Sequence, residues 1–203
     1  MKLRLFFAVN FDDEIKRKFY EISSQLRKFN EPVKYEPVEK LHLTLLFLGN
    51  VDENLLSELD RKALEISKNF SSSELFFDKL GVFKNFHQPR VIWIGTKDNP
   101  ILKELSFKLK MMTNDLNIMT DEKEFSPHIT LGRVKGRLSE KFIDFLKSFS
   151  FEPFTAKVNS FELMESKLEP SGSKYFVKSS YILQVKQVHL IRSFFIKISK
   201  NYN

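Results

Sequence analysis

The sequence predicts an α+β fold in which two antiparallel sheets face each other across a central cleft, with helices outside. Three observations carry this expectation. The pattern His42-Leu43-Thr44-Leu45 returns nearly half the chain later as His128-Ile129-Thr130-Leu131. Strand-like runs alternate with runs of helical periodicity. No stretch rich in glycine, serine or proline divides the chain, so the halves read as two lobes of one duplicated unit. That unit is expected over residues 1–184, with 185–203 as a tail.

The elements follow in order. A first strand is expected from about Leu3 to Val9. Asp12 or Asp13 then caps a helix whose apolar positions Ile15, Phe19, Ile22 and Leu26 keep helical spacing. A short extended segment, Val33 to Tyr35, leads through Pro37 into the first motif strand, Leu41 to Leu48, which Gly49-Asn50 is expected to end. A second helix carries Leu55, Leu56, Leu59, Ala63 and Ile66. Two strand-like runs follow, Glu74 to Phe83 and Arg90 to Gly95. A third helix shows Leu102, Leu105, Leu109, Met112 and Leu116 on one face. The charged segment Thr120 to Phe125 reads as a loop, and the second motif strand spans Ser126 to Val134. A helix from about Ser139 to Phe149 comes next. Two last strands, Phe154 to Ser166 and Lys174 to Gln184, flank the turn Pro170-Ser171-Gly172. In the tail, Val188, Ile191 and Phe195 fit a helix packed on the domain, although its lysines and arginines also allow an RNA-facing patch.

The motif residues carry chemistry. On a strand, residues two apart share a face. Each copy therefore presents one imidazole beside one hydroxyl, while Leu43, Leu45, Ile129 and Leu131 turn to the core. Two such strands brought together supply one imidazole to accept a proton, one to donate it, and hydroxyl donors for phosphoryl oxygens. The competing reading is a duplication kept for folding alone. Histidine and threonine are poor choices for a purely structural strand face. His87 and His189 lack a threonine partner and read as surface or loop residues.

Arg133 is a candidate cationic contact, five residues beyond His128. On an ideal strand that odd offset faces away. A bulge at Gly132 would turn it inward; the alternatives are contact with a more distal phosphate or a plain exposed arginine. Lys135 and Arg137 continue the basic stretch and are better placed for an RNA backbone than for a reacting phosphate.

Composition bounds the answer. The 203 residues suffice for one sizeable domain or two small lobes, and 42% hydrophobic content fits a globular fold. The net charge of +7 favours a polyanionic partner such as RNA. Cysteine is absent, which excludes disulfides, thiolate zinc sites and cysteine nucleophiles and fits a cytoplasmic protein. The apolar stretch Leu5 to Val9 is too short for a signal-peptide core and reads as a strand. No run approaches the ~18 apolar residues of a membrane helix. No His/Asp/Glu cluster has metal-ligand spacing, and Asp12-Asp13-Glu14 reads as a helix cap and first turn.

With these residues in view, the chain resembles the 2H phosphoesterase superfamily, in its branch of RNA 2′,3′-cyclic phosphodiesterases, the LigT-like proteins also called 2′-5′ RNA ligases. The resemblance rests on Arg4 to Val9, Glu39 to Gly49, Gly81-Val82-Phe83, Pro89 to Gly95, Ser126 to Arg133, and Glu165 through Tyr175. Tyr35 departs from it, where the family usually carries tryptophan. The resemblance implies opening of a 2′,3′-cyclic phosphate on RNA ends or nucleotides, leaving a 2′-phosphate, without metal or other cofactor. It implies His42 as proton donor to the leaving O3′ and His128 as proton acceptor from water, although the sequence cannot orient the two. Thr44 and Thr130 would donate to non-bridging oxygens, with Arg133 as the cationic contact. The same residues would serve 2′-5′ ligation, and a non-catalytic nucleotide-binding module is the rival from another class. A monomer is expected.

Overall fold

A computed structural model describes residues 1–120, 124–170 and 172–185. Nine strands are hydrogen-bonded into one strongly curled antiparallel sheet among these residues. They are β1 (Lys2–Asn10), β2 (Val33–Tyr35), β3 (His42–Asp52), β4 (Ser73–Phe83), β5 (Val91–Thr96), β6 (His128–Val134), β7 (Phe154–Val158), β8 (Ser160–Glu169) and β9 (Gly172–Ile182). Among the described residues four α-helices accompany it: α1 (Asp13–Arg27), α2 (Leu56–Ser67), α3 (Pro100–Asp115) and α4 (Glu140–Ser148). The helix expected in the tail lies outside the described residues.

The strand order is β7-β4-β5-β6-β3-β1-β8-β9, with β2 beside β6. Two lobes meet between β6 and β3, where a single pair, Leu43 and Ile129, joins them. These are the second residues of the two motif copies. The duplicated strands therefore sit side by side at the centre, and curling on either side makes the cleft.

The helices form where side-chain chemistry allows. Asp12 accepts from the Ile15 amide at 2.9 Å and Asn99 from the Leu102 amide at 2.9 Å, each satisfying a first-turn N–H. Ser139 caps α4 in the same way through the Phe142 amide. The stripe Ile15, Phe19, Ile22 and Leu26 of α1 is buried as its spacing predicts.

The lobes interleave along the chain. The first holds β3, β1, β8 and β9, with α3 on β3 and α2 on α3 and β9. The second holds β7, β4, β5, β6 and β2. Although α1 follows β1 directly, it packs on the second lobe, where Phe19 meets Phe77 edge-on at 5.0 Å and Phe154 at 5.6 Å. One continuous core runs through both lobes. Many of the phenylalanines are spent here. Phe11, Phe19, Phe77 and Phe154 form one aromatic cluster, and Phe7, Phe161 and Tyr181 another.

Two expectations are corrected. Gly49 does not end its strand: β3 continues to Asp52, and Gly49 takes φ +68° where the register against β1 skips a residue. This is a bulge with glycine in the left-handed region, which costs glycine nothing. The run Phe154 to Ser166 is also not one strand. It breaks at Asn159, with β7 pairing β4 in the second lobe and β8 pairing β1 in the first. Asn159 is where the chain crosses between lobes, and no glycine or proline marks it.

Candidate active site

Both motif copies open onto one cleft of about 480 Å³, lined by His42, Thr44, His128, Thr130 and Arg133 among others. Alternation on the strands sets this up. His42 and Thr44 are half-exposed on the cleft face while Leu43 and Leu45 are buried behind them, and β6 repeats the pattern with His128, Ile129, Thr130 and Leu131.

The two imidazoles are held alike. His42 Nδ1 lies 2.7 Å from the Lys40 carbonyl oxygen, and His128 Nδ1 lies 2.7 Å from that of Ser126. A carbonyl only accepts, so each Nδ1 carries the proton and each neutral ring keeps Nε2 as its basic atom. His42 Nε2 is 3.1 Å from Thr44 Oγ1, which therefore donates to it. The carbonyl two residues upstream plays the same part in both halves.

Aromatic rings flank each imidazole. Phe6 and Tyr175 stand 5.2 and 5.3 Å from the His42 ring, and Phe83 and Trp93 stand 4.6 and 6.4 Å from that of His128. Burial among them is the largest influence on both histidines and disfavours the charged form. His42 is lowered to about 4, with positive charge from Lys16, His128 and Arg133 adding to the effect. His128 is lowered too, with Arg133 contributing. Trp93 can lie flat on the sheet because its neighbours are glycines: a Cβ at Gly81 would fall 2.4 Å from its ring and one at Gly95 2.5 Å.

A bulge explains Arg133. Register against β5 shifts between Thr130 and Gly132, leaving Leu131 as the extra residue. The slip of one inverts the face of everything beyond it. Arg133 therefore returns to the cleft, where its Nε lies 3.4 Å from a Glu36 carboxylate oxygen. The other half carries the same bulge. Register between β1 and β3 skips Leu45, which puts Phe47 into the cleft at the position matching Arg133. Both bulged carbonyls find donors: Ser106 Oγ to Leu45 O at 2.7 Å, and the Glu36 amide to Leu131 O at 2.8 Å. Arg4 lies over the Phe47 ring at 4.9 Å.

Sequence reasoning assigned no role to Arg4, Phe6, Phe47, Phe83, Trp93 or Tyr175. Same-face spacing on β1 could have placed Arg4 and Phe6 together. Phe47 needed the bulge. His87 lies outside the cleft, exposed in the loop after β4. Among the described residues, no three His, Asp or Glu side chains gather to hold a metal, and no helix is long and apolar enough to cross a membrane.

Comparison with known proteins places this fold. The family model for LigT-like phosphoesterases matches residues 9–93 and 100–175. An RNA 2′,3′-cyclic phosphodiesterase of Archaeoglobus fulgidus is 36% identical over 85% of this chain and 96% of its own. One from Thermotoga maritima is 33% identical over 86% of this chain and 92% of its own. Among solved structures, TT0787 of Thermus thermophilus superposes with a TM-score of 0.78 at 27% identity, covering 91% of this chain and all (100%) of that one. E. coli LigT complexed with 3′-AMP gives 0.73 at 25% identity, covering 90% and 99%. The chain, with its two motif strands joined at the floor of one cleft, belongs to the LigT-like phosphoesterase family.

Proposed function

We propose that this protein hydrolyses 2′,3′-cyclic phosphate ends of RNA, or the corresponding cyclic nucleotides, to 2′-phosphates by metal-independent acid–base catalysis. The observation that carries the reading is the matched pair of imidazoles. Each has Nδ1 fixed on a backbone carbonyl, each keeps Nε2 for chemistry, and both line one cleft. The names of the Archaeoglobus and Thermotoga relatives support the same substrate.

In this reading His128 Nε2 takes a proton from water as the new P–O bond forms. The P–O3′ bond breaks, and O3′ takes the proton carried by His42 Nε2. Thr44 and Thr130 donate to the non-bridging oxygens, and Arg133 balances their charge. Phe47 offers a ring face on which a base can stack. Ligation would need a 5′-hydroxyl to displace water from the same position, and water in excess favours hydrolysis. Retention of both intact motifs speaks against a module that only binds.

The depressed histidines set the pH dependence. Catalysis needs one imidazole neutral and the other protonated. Below both pKa values there is no base; above both there is no acid. The free-protein values lie below the ordinary 6.5, with His42 near 4. The kcat/KM profile should therefore be a bell centred on the acid side of 6.5, falling through neutral pH. A bound phosphate anion favours the charged imidazole, so the kcat optimum should sit at higher pH than that of kcat/KM. Initial rates on a 2′,3′-cyclic nucleotide across the pH range, fitted for both parameters, decide this. A kcat/KM maximum at or above neutrality contradicts it.

A further inference from the structure

A second and larger cavity, about 970 Å³, opens beside the first between the end of β6, the start of α4 and the loop joining β4 to β5. Arg90, Lys135, Arg137 and Lys147 line it, against the carboxylates of Glu140 and Asp144. Asp144 is already paired with Lys147 at 3.1 Å. Arg90, Lys135 and Arg137 are exposed and make no ion pair among the described residues. Phe86 and His87 add rings from the loop, Phe86 half-buried and His87 exposed.

The two cavities adjoin at Lys135. Lys135 lines both, two residues after Arg133 and just past the end of β6. From His128 to Lys135 is seven residues, at most about 23 Å at a strand rise of about 3.3 Å per residue. That is long enough to follow a nucleic-acid backbone for several phosphates.

We infer that this groove holds the single-stranded RNA immediately 5′ of the reacting nucleotide, so that the protein favours oligonucleotide ends over free cyclic nucleotides. The inference rests on the phosphodiesterase reading and extends it. A terminal ribose with both its 2′ and 3′ oxygens closed on phosphorus is joined to the rest of the chain only through O5′. The chain therefore leaves the terminal ribose at that one atom. The exit past Arg133 and Lys135 leads onto the free cations Arg137 and Arg90, with Phe86 and His87 as stacking faces. Cations that follow a backbone beside aromatic rings are how single strands are held without sequence readout.

The test compares 2′,3′-cyclic AMP with a hexanucleotide ending in the same cyclic adenosine, using the wild type and an R90Q/R137Q double variant. Wild type should show a lower KM for the hexanucleotide. The variant should raise that KM roughly tenfold, and should lower the slope of log affinity against log salt by about 1.4, at about 0.7 per lost phosphate contact. Its kinetics on cyclic AMP should not change, which also shows that it is folded. Equal KM values for the two substrates in wild type, or a variant that affects both alike, would overturn the groove and leave the phosphodiesterase reading standing. Turnover of neither substrate by wild type would overturn both.

Discussion

Replacing His42 or His128 by alanine should remove at least roughly two orders of magnitude from kcat on a 2′,3′-cyclic nucleotide, because proton transfer by a positioned side chain contributes about 10²- to 10⁴-fold. In the proposed mechanism each ring has one task and no understudy. Among the described residues lining the cleft, these two are the only imidazoles. The two act as a unit, so the double variant should lose little more than the worse single one. Thr44→Val and Thr130→Val should be milder, since each removes one hydrogen bond that water can partly replace. Turnover should be measured beside a circular-dichroism spectrum. Near-normal kcat in a folded histidine variant would leave the binding-module reading in front.

Phe77→Ala should destabilise the protein by about 3–5 kcal/mol, the usual cost of emptying a buried aromatic site. Phe77 is fully buried and meets Phe11, Phe19 and Phe154 with ring centroids 5.0 to 6.0 Å apart. It is where α1, entering from the first lobe, is fastened to the second. Against a total stability of about 5–15 kcal/mol, such a loss is a large share. Phe107→Ala, on a side chain 57% exposed, should stay within about 0.5 kcal/mol. Urea denaturation of both variants checks the contrast. Equal midpoints would mean that Phe77 does not hold the lobes as described.

Local signals were legible in the sequence. The apolar stripe of α1, a cap at Asp12 or Asp13, the start of a helix near Ser139 and the same-face placement of His42 with Thr44 each depend on a few neighbouring residues. What it could not state was register. Nothing within Leu43 to Gly49 says that Leu45 is skipped by β1, or that Gly49 bends the strand instead of ending it; the partner strand decides both. Arg133 could be proposed for the cleft only by supposing a bulge, and the skipped residue proved to be Leu131, one before the glycine. The crossing at Asn159 was hidden because two strands in different lobes can be consecutive without a turn residue between them. The rings around each histidine were hidden for a related reason. Phe6, Tyr175, Phe83 and Trp93 come from four strands, and only the finished sheet brings them to the two imidazoles.

The most direct test is to incubate the purified protein with 2′,3′-cyclic AMP in excess chelator and to resolve the products. Two-histidine catalysis with O3′ leaving predicts 2′-AMP as the product, formed at the rate seen without chelator. Activity that disappears in chelator and returns with magnesium or manganese, or no turnover under either condition, would contradict the account.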